Sequence, residues 1–274
     1  MDQNERVAKY YEDTQQWYNF FWGINGIHFG IWDEGTTSHN ESVQNTNEFA
    51  AQLLGVNVGD RVLDAGCGIG ATARFIAEQY QAHVTGITIA DNQVEEARSS
   101  TPPNLKDLVT FVNRDFEATG FNDNSFDGVY AIESICHGDP ARFIVEAYRL
   151  LDKGGRIVVF DYSVAESLNK PDEAKYQIYV DGHQVPGILP VDEFKEHLEN
   201  VGFNGIIHQD LSAQVARSFK RMRNLALAFG WILNPLSDRG FLSEDVANTS
   251  RGSKAMYDLF DSRVLTYSAY SAQK

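Results

Sequence analysis

Three groups of residues in this chain have the types and spacing for chemistry. In Arg61-Val62-Leu63-Asp64-Ala65-Gly66-Cys67-Gly68-Ile69-Gly70, a short apolar run stops at an aspartate and opens into alternating glycines. The run reads as a buried strand. Glycines after it let the chain turn sharply and bring a ligand against backbone where a Cβ would collide. A helix predicted over 71–80 starts there, and its unpaired N–H groups favour an anionic or polar ligand group. The second group, Asp115-Phe116, closes a predicted strand with a carboxylate and an aromatic ring. The third is Glu133 with His137, an acid and an imidazole suited to proton transfer, placed after another predicted strand where open α/β sheets bind ligands. Each group also has a plainer reading. Asp64 and Asp115 have the chemistry of turn or helix caps, and a histidine beside a helix commonly serves packing alone.

The elements that must position these groups follow from periodicity. Over 56–162 apolar runs alternate with amphipathic stretches, the pattern of a parallel sheet covered on both faces. Strands are expected at 61–64, 83–89, 109–113, 126–131 and 156–161. Residues 1–55 read as a helical cap rich in aromatics, with Tyr10, Tyr11, Trp17, Tyr18 and Trp22 among them. Beyond 162 come a polar stretch around 167–175 and a turn-rich segment with Gly182, Pro186, Gly187 and Pro190. A helix over 191–201, a strand over 205–209, a helix over 213–230 and a final alternating strand over 263–272 are then expected. The chain thus divides into a cap (1–55), a core (56–162) and the rest of the sheet with a helical lid (163–274), packed as one structural domain.

Composition bounds the partners. A chain of 274 residues, 43% hydrophobic, can bury a sizeable core. Its formal net charge of −15 argues against a nucleic-acid backbone or an anionic membrane surface as the main partner. The two cysteines, Cys67 and Cys136, have no metal-type spacing and read as small apolar thiols of a reducing compartment. No signal-peptide pattern and no run of about 20 apolar residues is visible, so a cytoplasmic protein is expected. The oligomeric state stays open, a homodimer included. Against this acidic background Arg217, Lys220, Arg221 and Arg223 stand out on one predicted helix, as either a solvated face or a receptor for a prenyl phosphate or diphosphate.

Taken in order, these motifs resemble a class I S-adenosylmethionine-dependent methyltransferase. The segment 62–70 is similar to the family's first motif, Asp115-Phe116 sits where the family holds the adenine, Phe126-Asp127 resembles its second motif, and Leu150-Leu151-Asp152-Lys153-Gly154-Gly155-Arg156 resembles the turn before its fifth strand. Gly86-Ile87-Thr88-Ile89-Ala90-Asp91-Asn92-Gln93, the N-terminal His28-Phe29-Gly30-Ile31-Trp32 and Glu133-Ser134-Ile135-Cys136-His137 narrow it to the tocopherol and sterol branch. The resemblance implies a Rossmann-like, doubly wound, mostly parallel seven-stranded sheet whose last strand is antiparallel. It also implies S-adenosylmethionine at Asp64, Gly66, Cys67, Gly68, Gly70, Thr88, Gln93, Asp115, Phe116 and Glu133. One departure stands out: Thr88 or Ile89 replaces the acid that most members place at the end of the second strand to grip the ribose, which leaves Gln93 and backbone groups as candidates.

The function then expected is methyl transfer to a small hydrophobic acceptor of secondary metabolism, isoprenoid, sterol-like or a prenylated phenol, with methylation at carbon favoured. No metal is required. Methylating an alkene or a phenol at carbon creates a cation that must lose a proton, and Glu133 and His137 are the candidate catalytic bases. Tyr10, Tyr18 and Trp22 are candidate substrate contacts, as a π-rich wall facing a cationic centre. His28, His183 and His208 read as structural. A small-amine N-methyltransferase is the alternative within the class. A nicotinamide-dependent dehydrogenase fits poorly, because the third glycine comes one residue early and Thr88 replaces the acid. A cofactor-binding scaffold without turnover is a third reading.

Overall fold

The computed structural model describes residues 2–22 and 26–274, with backbone only for Phe21, Trp22, Ile232, Asn234 and Asp238. Two helices, α1 (Gln3–Trp22) and α2 (His39–Leu54), precede the sheet. There follow β1 (Arg61–Ala65), α3 (Ala71–Tyr80), β2 (His83–Thr88), α4 (Asp91–Ser99), β3 (Val109–Asn113), β4 (Phe126–Ile132), α5 (Pro140–Leu150) and β5 (Leu151–Val164). The chain closes with α6 (Lys170–His183), α7 (Val191–Val201), β6 (Asn204–Asp210), α8 (Ser212–Asp238), α9 (Glu244–Asp261) and β7 (Leu265–Gln273). The strand order is β3-β2-β1-β4-β5-β7-β6, and β7 runs antiparallel to both of its neighbours while the others are parallel.

This order positions the site. Chain direction of the order reverses between β1 and β4, whose C-terminal ends therefore open a crevice that no crossover covers. Both strands are apolar on both faces, with Val62, Leu63, Val129 and Tyr130 buried, because helices cover the sheet on each side. At the opposite end Asp127 holds the start of the two strands together: its carboxylate forks with Arg61, at 3.0 Å to Nε and 2.7 Å to Nη2, and accepts from the Arg61 N–H at 2.8 Å. Hydrogen bonding from Arg61 holds that carboxyl below its ordinary range. Asp127 is structural.

The N-terminal helices are held differently. Helix α2 is capped by Ser38, ends on Gly55 in a left-handed conformation and buries Val43, Ala50, Ala51 and Leu54 against the sheet. Helix α1 instead lies across the C-terminal ends of the strands and is tied down by polar side chains. Asn4 donates to Asp115 at 2.8 Å, Asn19 donates to Glu96 at 2.8 Å, and Gln15 accepts from Gln93 at 2.7 Å.

The lid departs from the sequence expectation. The helix expected over 213–230 runs eight residues further, to Asp238, α6 forms across the polar stretch, and α9 lies between that helix and the last strand, where no element is expected. These two pack through small residues. A Cβ on Gly182 would stand 2.6 Å from the Asn248 carbonyl oxygen and 2.9 Å from the Gly252 Cα, so the helices meet at backbone distance. Where small residues make the contact, the hydrophobic stripe that marks a helix is missing. No helix among the described residues is long and apolar enough to cross a membrane. Substituting Gly182→Ala should overpack this crossing at a cost of about 1–3 kcal/mol and lower the melting temperature by several degrees in a thermal denaturation scan.

Candidate functional site

One large cavity, enclosing about 1810 Å³ with the space open to solvent at its mouth, lies over the C-terminal ends of β1, β2 and β4. The glycine turn forms its floor. Gly66, Gly68 and Gly70 all have positive φ (86°, 51° and 75°), and a Cβ on Gly66 would collide with Ser134. Only glycine satisfies both conditions at Gly66. Gly66, Cys67 and Gly68 line the cavity, whereas Gly70 serves as the residue from which α3 starts and does not face it. The Cys67 thiol is buried and held well above its ordinary pKa by that burial.

Asp64 lies in this floor with 3% of its surface exposed, and its Oδ2 has no hydrogen-bond partner in the structure. Burial pushes its carboxyl up to about 7, against a smaller lowering influence from Tyr130. A buried carboxylate without a partner is costly, and a cationic ligand group would relieve it. Across the cavity Asp115 accepts from Asn4 and from the Glu117 N–H at 2.8 Å each, which leaves acceptor capacity on both oxygens. Phe116 packs edge-on to Phe143 beside it. Where many such sites carry an acid, the Thr88 hydroxyl donates to Gln93 Oε1 at 2.7 Å, and Gln93 Nε2 gives one of its two protons to Gln15. Asp64, Gly66, Cys67, Gly68, Thr88, Gln93, Asp115, Phe116 and Glu133 all line this cavity. Their chemistry fits an elongated ligand with an ammonium at one end and a hydrogen-bonding ring at the other.

Glu133 is the most constrained residue of the site. It follows β4 with φ 51°, a left-handed conformation costly for a residue with a Cβ. Its Oε1 accepts from the Phe29 N–H at 2.6 Å and the Tyr267 hydroxyl at 2.8 Å, and its Oε2 from the Tyr162 hydroxyl at 2.6 Å. Burial raises the carboxyl to about 7, with the three donors pulling the other way and Asp161 adding to the rise. Asp161, raised by burial to about 6, accepts from the N–H groups of Cys136 and Tyr162 and so braces the turn that carries His137.

His137 and Glu133 line the same cavity without being hydrogen-bonded to one another. The Gln184 carbonyl lies 2.9 Å from Nδ1, which must therefore carry the proton, and Nε2 accepts from the Tyr11 hydroxyl at 2.8 Å. Burial lowers the imidazole to about 4, so it is neutral at pH 7.

The aromatic wall needs correction at one residue. Tyr10 is buried and does not line the cavity; its hydroxyl lies 2.6 Å from that of Tyr18 and 3.2 Å from Thr249 Oγ1. One step along the helix, Tyr11 faces the cavity with Trp17 and Tyr18, because α1 turns about 100° per residue. The Trp22 side chain lies outside the described residues. His183, expected to be structural, also lines the cavity, whereas His208 bonds Ser268 elsewhere, and His28, at the rim, is tied to Asn47. Tyr162, Tyr179, Tyr267 and His183 were not singled out as site residues in the sequence. Tyr162 ends a predicted strand, which is a usable signal; the others come from the lid and β7, where nothing local marks them. None of Arg217, Lys220, Arg221 and Arg223 lines the cavity. Among the described residues no group of three or more His, Cys, Asp or Glu could hold a metal ion.

Comparison with known proteins now bears on this geometry. Residues 63–159 match the methyltransferase domain family. The chain is 33% identical over 217 residues to a sterol 24-C-methyltransferase of Saccharomyces cerevisiae, covering 77% of this chain and 56% of that protein. It is 30% identical over 230 residues to the 27-O-demethylrifamycin SV methyltransferase of Amycolatopsis mediterranei, covering 81% of this chain and 84% of that protein. The chain spans little more than half the length of the sterol methyltransferases it matches. Among solved structures, a cyclopropane synthase from Mycobacterium tuberculosis shares the fold with a TM-score of 0.84 at 19% identity, covering 99% of this chain and 98% of that one.

Asp64 generates a pH prediction. An unfolded aspartate loses its proton near 3.9, whereas the folded one keeps it to about 7. Between those values the folded state binds more protons than the unfolded one, so this group removes stability as pH rises. A ligand ammonium favours the carboxylate, so binding must tighten over the upper part of the same range. Calorimetric titration with S-adenosylhomocysteine, whose methionyl ammonium provides the probe, should show affinity rising from pH 6 to 8. In Asp64→Asn that rise should flatten, and the unliganded variant should lose less of its melting temperature between pH 5 and 8 than the parent chain.

Proposed function

The chain belongs to the class I S-adenosylmethionine-dependent methyltransferases, of the sterol- and tocopherol-like branch, and from this we propose that it methylates a carbon atom of a small hydrophobic acceptor. The acceptor is isoprenoid, sterol-like or a prenylated phenol. The observation that carries the proposal is the cavity itself. It extends past the residues around the glycine turn to side chains of α1, α6, α8 and α9. Beyond the glycine turn its walls are apolar, formed by Val7 and Trp17 of α1, Met222, Leu225 and Phe229 of α8 and Met256 of α9. S-adenosylmethionine, when bound, supplies a methyl group already activated on a sulfonium. Asp64, the glycine turn, Gln93, Asp115 and Phe116 are the residues to hold it. Free, buried thiols at Cys67 and Cys136 fit a reducing, cytoplasmic setting.

What the chain must add is alignment and a route for a proton. Holding the reactants as near-attack partners is worth about 7–11 kcal/mol. After methylation of an alkene or phenol at carbon, the acceptor cation loses a C–H proton and the bond pair closes the double bond. All three donors on Glu133 are short, so direct capture of that proton would break one of them. Tyr162 avoids this. Its hydroxyl lines the cavity and already donates to Glu133 Oε2, so its oxygen takes the acceptor proton while its own proton moves to the carboxylate. A carboxyl near 7 suits a base working at neutral pH. His137, with both nitrogens engaged, positions Tyr11 at the opposite wall.

A second reading, O-methylation, is favoured by one observation: the relative that this chain matches over 84% of its length is a 27-O-demethylrifamycin SV methyltransferase. The same base would then take a hydroxyl proton. Turnover with S-adenosylmethionine carrying a ¹³C-labelled methyl separates the two, because the carbon shift of the transferred methyl distinguishes C–CH₃ from O–CH₃. Glu133→Gln should lower kcat by about 10²–10⁴ while S-adenosylhomocysteine affinity changes little. Tyr162→Phe should give a smaller loss in kcat. In the parent chain kcat/KM should rise as pH passes about 7 and Glu133 ionises; a pH-independent rate would remove Glu133 from the proton route.

A further inference from the structure

The charges around the cavity select among hydrophobic acceptors. Its charged lining residues are Asp64, Asp115 and Glu133, all acidic, and no lysine or arginine is among them. None of the residues lacking a described position or side chain is basic either. The three lining histidines, His28, which is buried, and His137 and His183, which are half-buried, are all lowered by desolvation, the latter two to about 4 and about 3, and so bring no positive charge at neutral pH. None of the four basic residues Arg217, Lys220, Arg221 and Arg223 of α8 lines the cavity. Arg217 lies 3.9 Å over the Trp32 ring, Arg223 lies 4.9 Å over the Tyr257 ring, and Lys220 faces solvent, while Met222, Leu225, Ala226 and Phe229 of the same helix face the cavity. Among the described residues no group of three or more His, Cys, Asp or Glu could hold a metal ion by protein ligands alone. An anionic headgroup buried here would meet only carboxylates and neutral dipoles.

Hydrogen bonding at the lid end is equally selective. The Thr249 hydroxyl donates to the Asp245 carbonyl at 2.7 Å, Ser250 to the Ala226 carbonyl at 3.4 Å, and Ser253 Oγ lies 3.3 Å from His183 Nε2. Tyr179 differs. It is 1% exposed, its ring packs against those of Tyr162 and His183, and its hydroxyl has no hydrogen-bond partner. A buried hydroxyl with no partner calls for one.

We propose that the acceptor is electrically neutral, that it anchors one hydroxyl or carbonyl oxygen on Tyr179, and that phosphate- and diphosphate-bearing acceptors are excluded. This rests on the methyltransferase reading and specifies its substrate class. Tyr179 and Tyr162 are neighbours, their ring centroids 6.1 Å apart, so the anchored oxygen lies close to the proton route.

The test uses the full chain saturated with S-adenosylhomocysteine, titrated with prenyl alcohols of ten, fifteen and twenty carbons, their diphosphates, and a hydrocarbon of matched length. Quenching of intrinsic tryptophan fluorescence, to which Trp17 in the cavity wall contributes, gives the affinities. At least one alcohol should bind tenfold or more tightly than its diphosphate. Tyr179→Phe should weaken that alcohol three- to tenfold and leave the hydrocarbon and S-adenosylhomocysteine affinities unchanged. A diphosphate that binds as well as its alcohol overturns the proposal, as does failure of every alcohol to bind. A Tyr179→Phe variant that holds the alcohol undiminished overturns the anchor. If S-adenosylhomocysteine itself does not bind, the methyltransferase reading falls and this proposal with it; if it binds and a diphosphate wins, only this proposal falls.

Discussion

The carboxyl group of Glu133 joins parts of the chain that are otherwise far apart. It receives the N–H of Phe29 from the N-terminal segment, the hydroxyl of Tyr162 from β5 and the hydroxyl of Tyr267 from β7, across sequence separations of 104, 29 and 134 residues. Its own backbone is held at φ 51°, a conformation worth about 1–3 kcal/mol of strain that persists only where surrounding contacts impose it. Those contacts are the three hydrogen bonds. Hydrogen bonds to a charged, partly desolvated carboxylate are among the stronger kind, so these three hold the cap, the sheet centre and the last strand relative to one another. The strained residue, the tyrosines and the cavity floor are thus one arrangement.

Around that point the site carries an excess of buried acid. Asp64, Glu133 and Asp161 stand at or just past the C-terminal ends of β1, β4 and on β5, each raised by burial. Asp161 is satisfied by backbone N–H groups and Glu133 by hydroxyls, whereas Asp64 keeps an oxygen without a partner. The gradient is chemically sensible for a site that receives a cationic methyl donor: one unpaired acid for the ammonium, and one held near neutrality for the proton. The lid contributes no compensating cation, so the whole field of the cavity favours positive or neutral ligands.

Two helices at the N-terminus illustrate how differently a fold can hold its parts. Helix α2 is fixed by buried apolar residues and closes the core. Helix α1 is fixed at the cavity rim by amide side chains of Asn4, Gln15 and Asn19 that meet Asp115, Gln93 and Glu96. Neutral and charge-assisted hydrogen bonds of this kind contribute about 0.5–3 kcal/mol each, less than the burial of a helix face. At the cavity rim α1 is therefore held by polar side chains as well as by its buried Val7 and Tyr10.

Much of this was legible in the chain before folding is considered. The glycine turn, the strands of the core, the helices at 71–80 and 191–201 and the acid and imidazole after β4 all follow from local pattern, because a strand buried on both faces and a turn that admits no Cβ leave marks within ten residues of themselves. What the sequence by itself determined is thus the nucleotide-type core, its family and the glycine turn that floors the cavity. Only the tertiary structure decided that Tyr11 and not Tyr10 faces the cavity, that Gln93 is shared with Gln15, that the Tyr162 hydroxyl donates to Glu133, and that the basic residues of α8 do not line the site. These depend on helix rotation, on pairing across more than a hundred residues and on α6 and α9 meeting through glycine. Small-residue contacts and long-range hydrogen bonds obey no short period, so local sequence carries no trace of them.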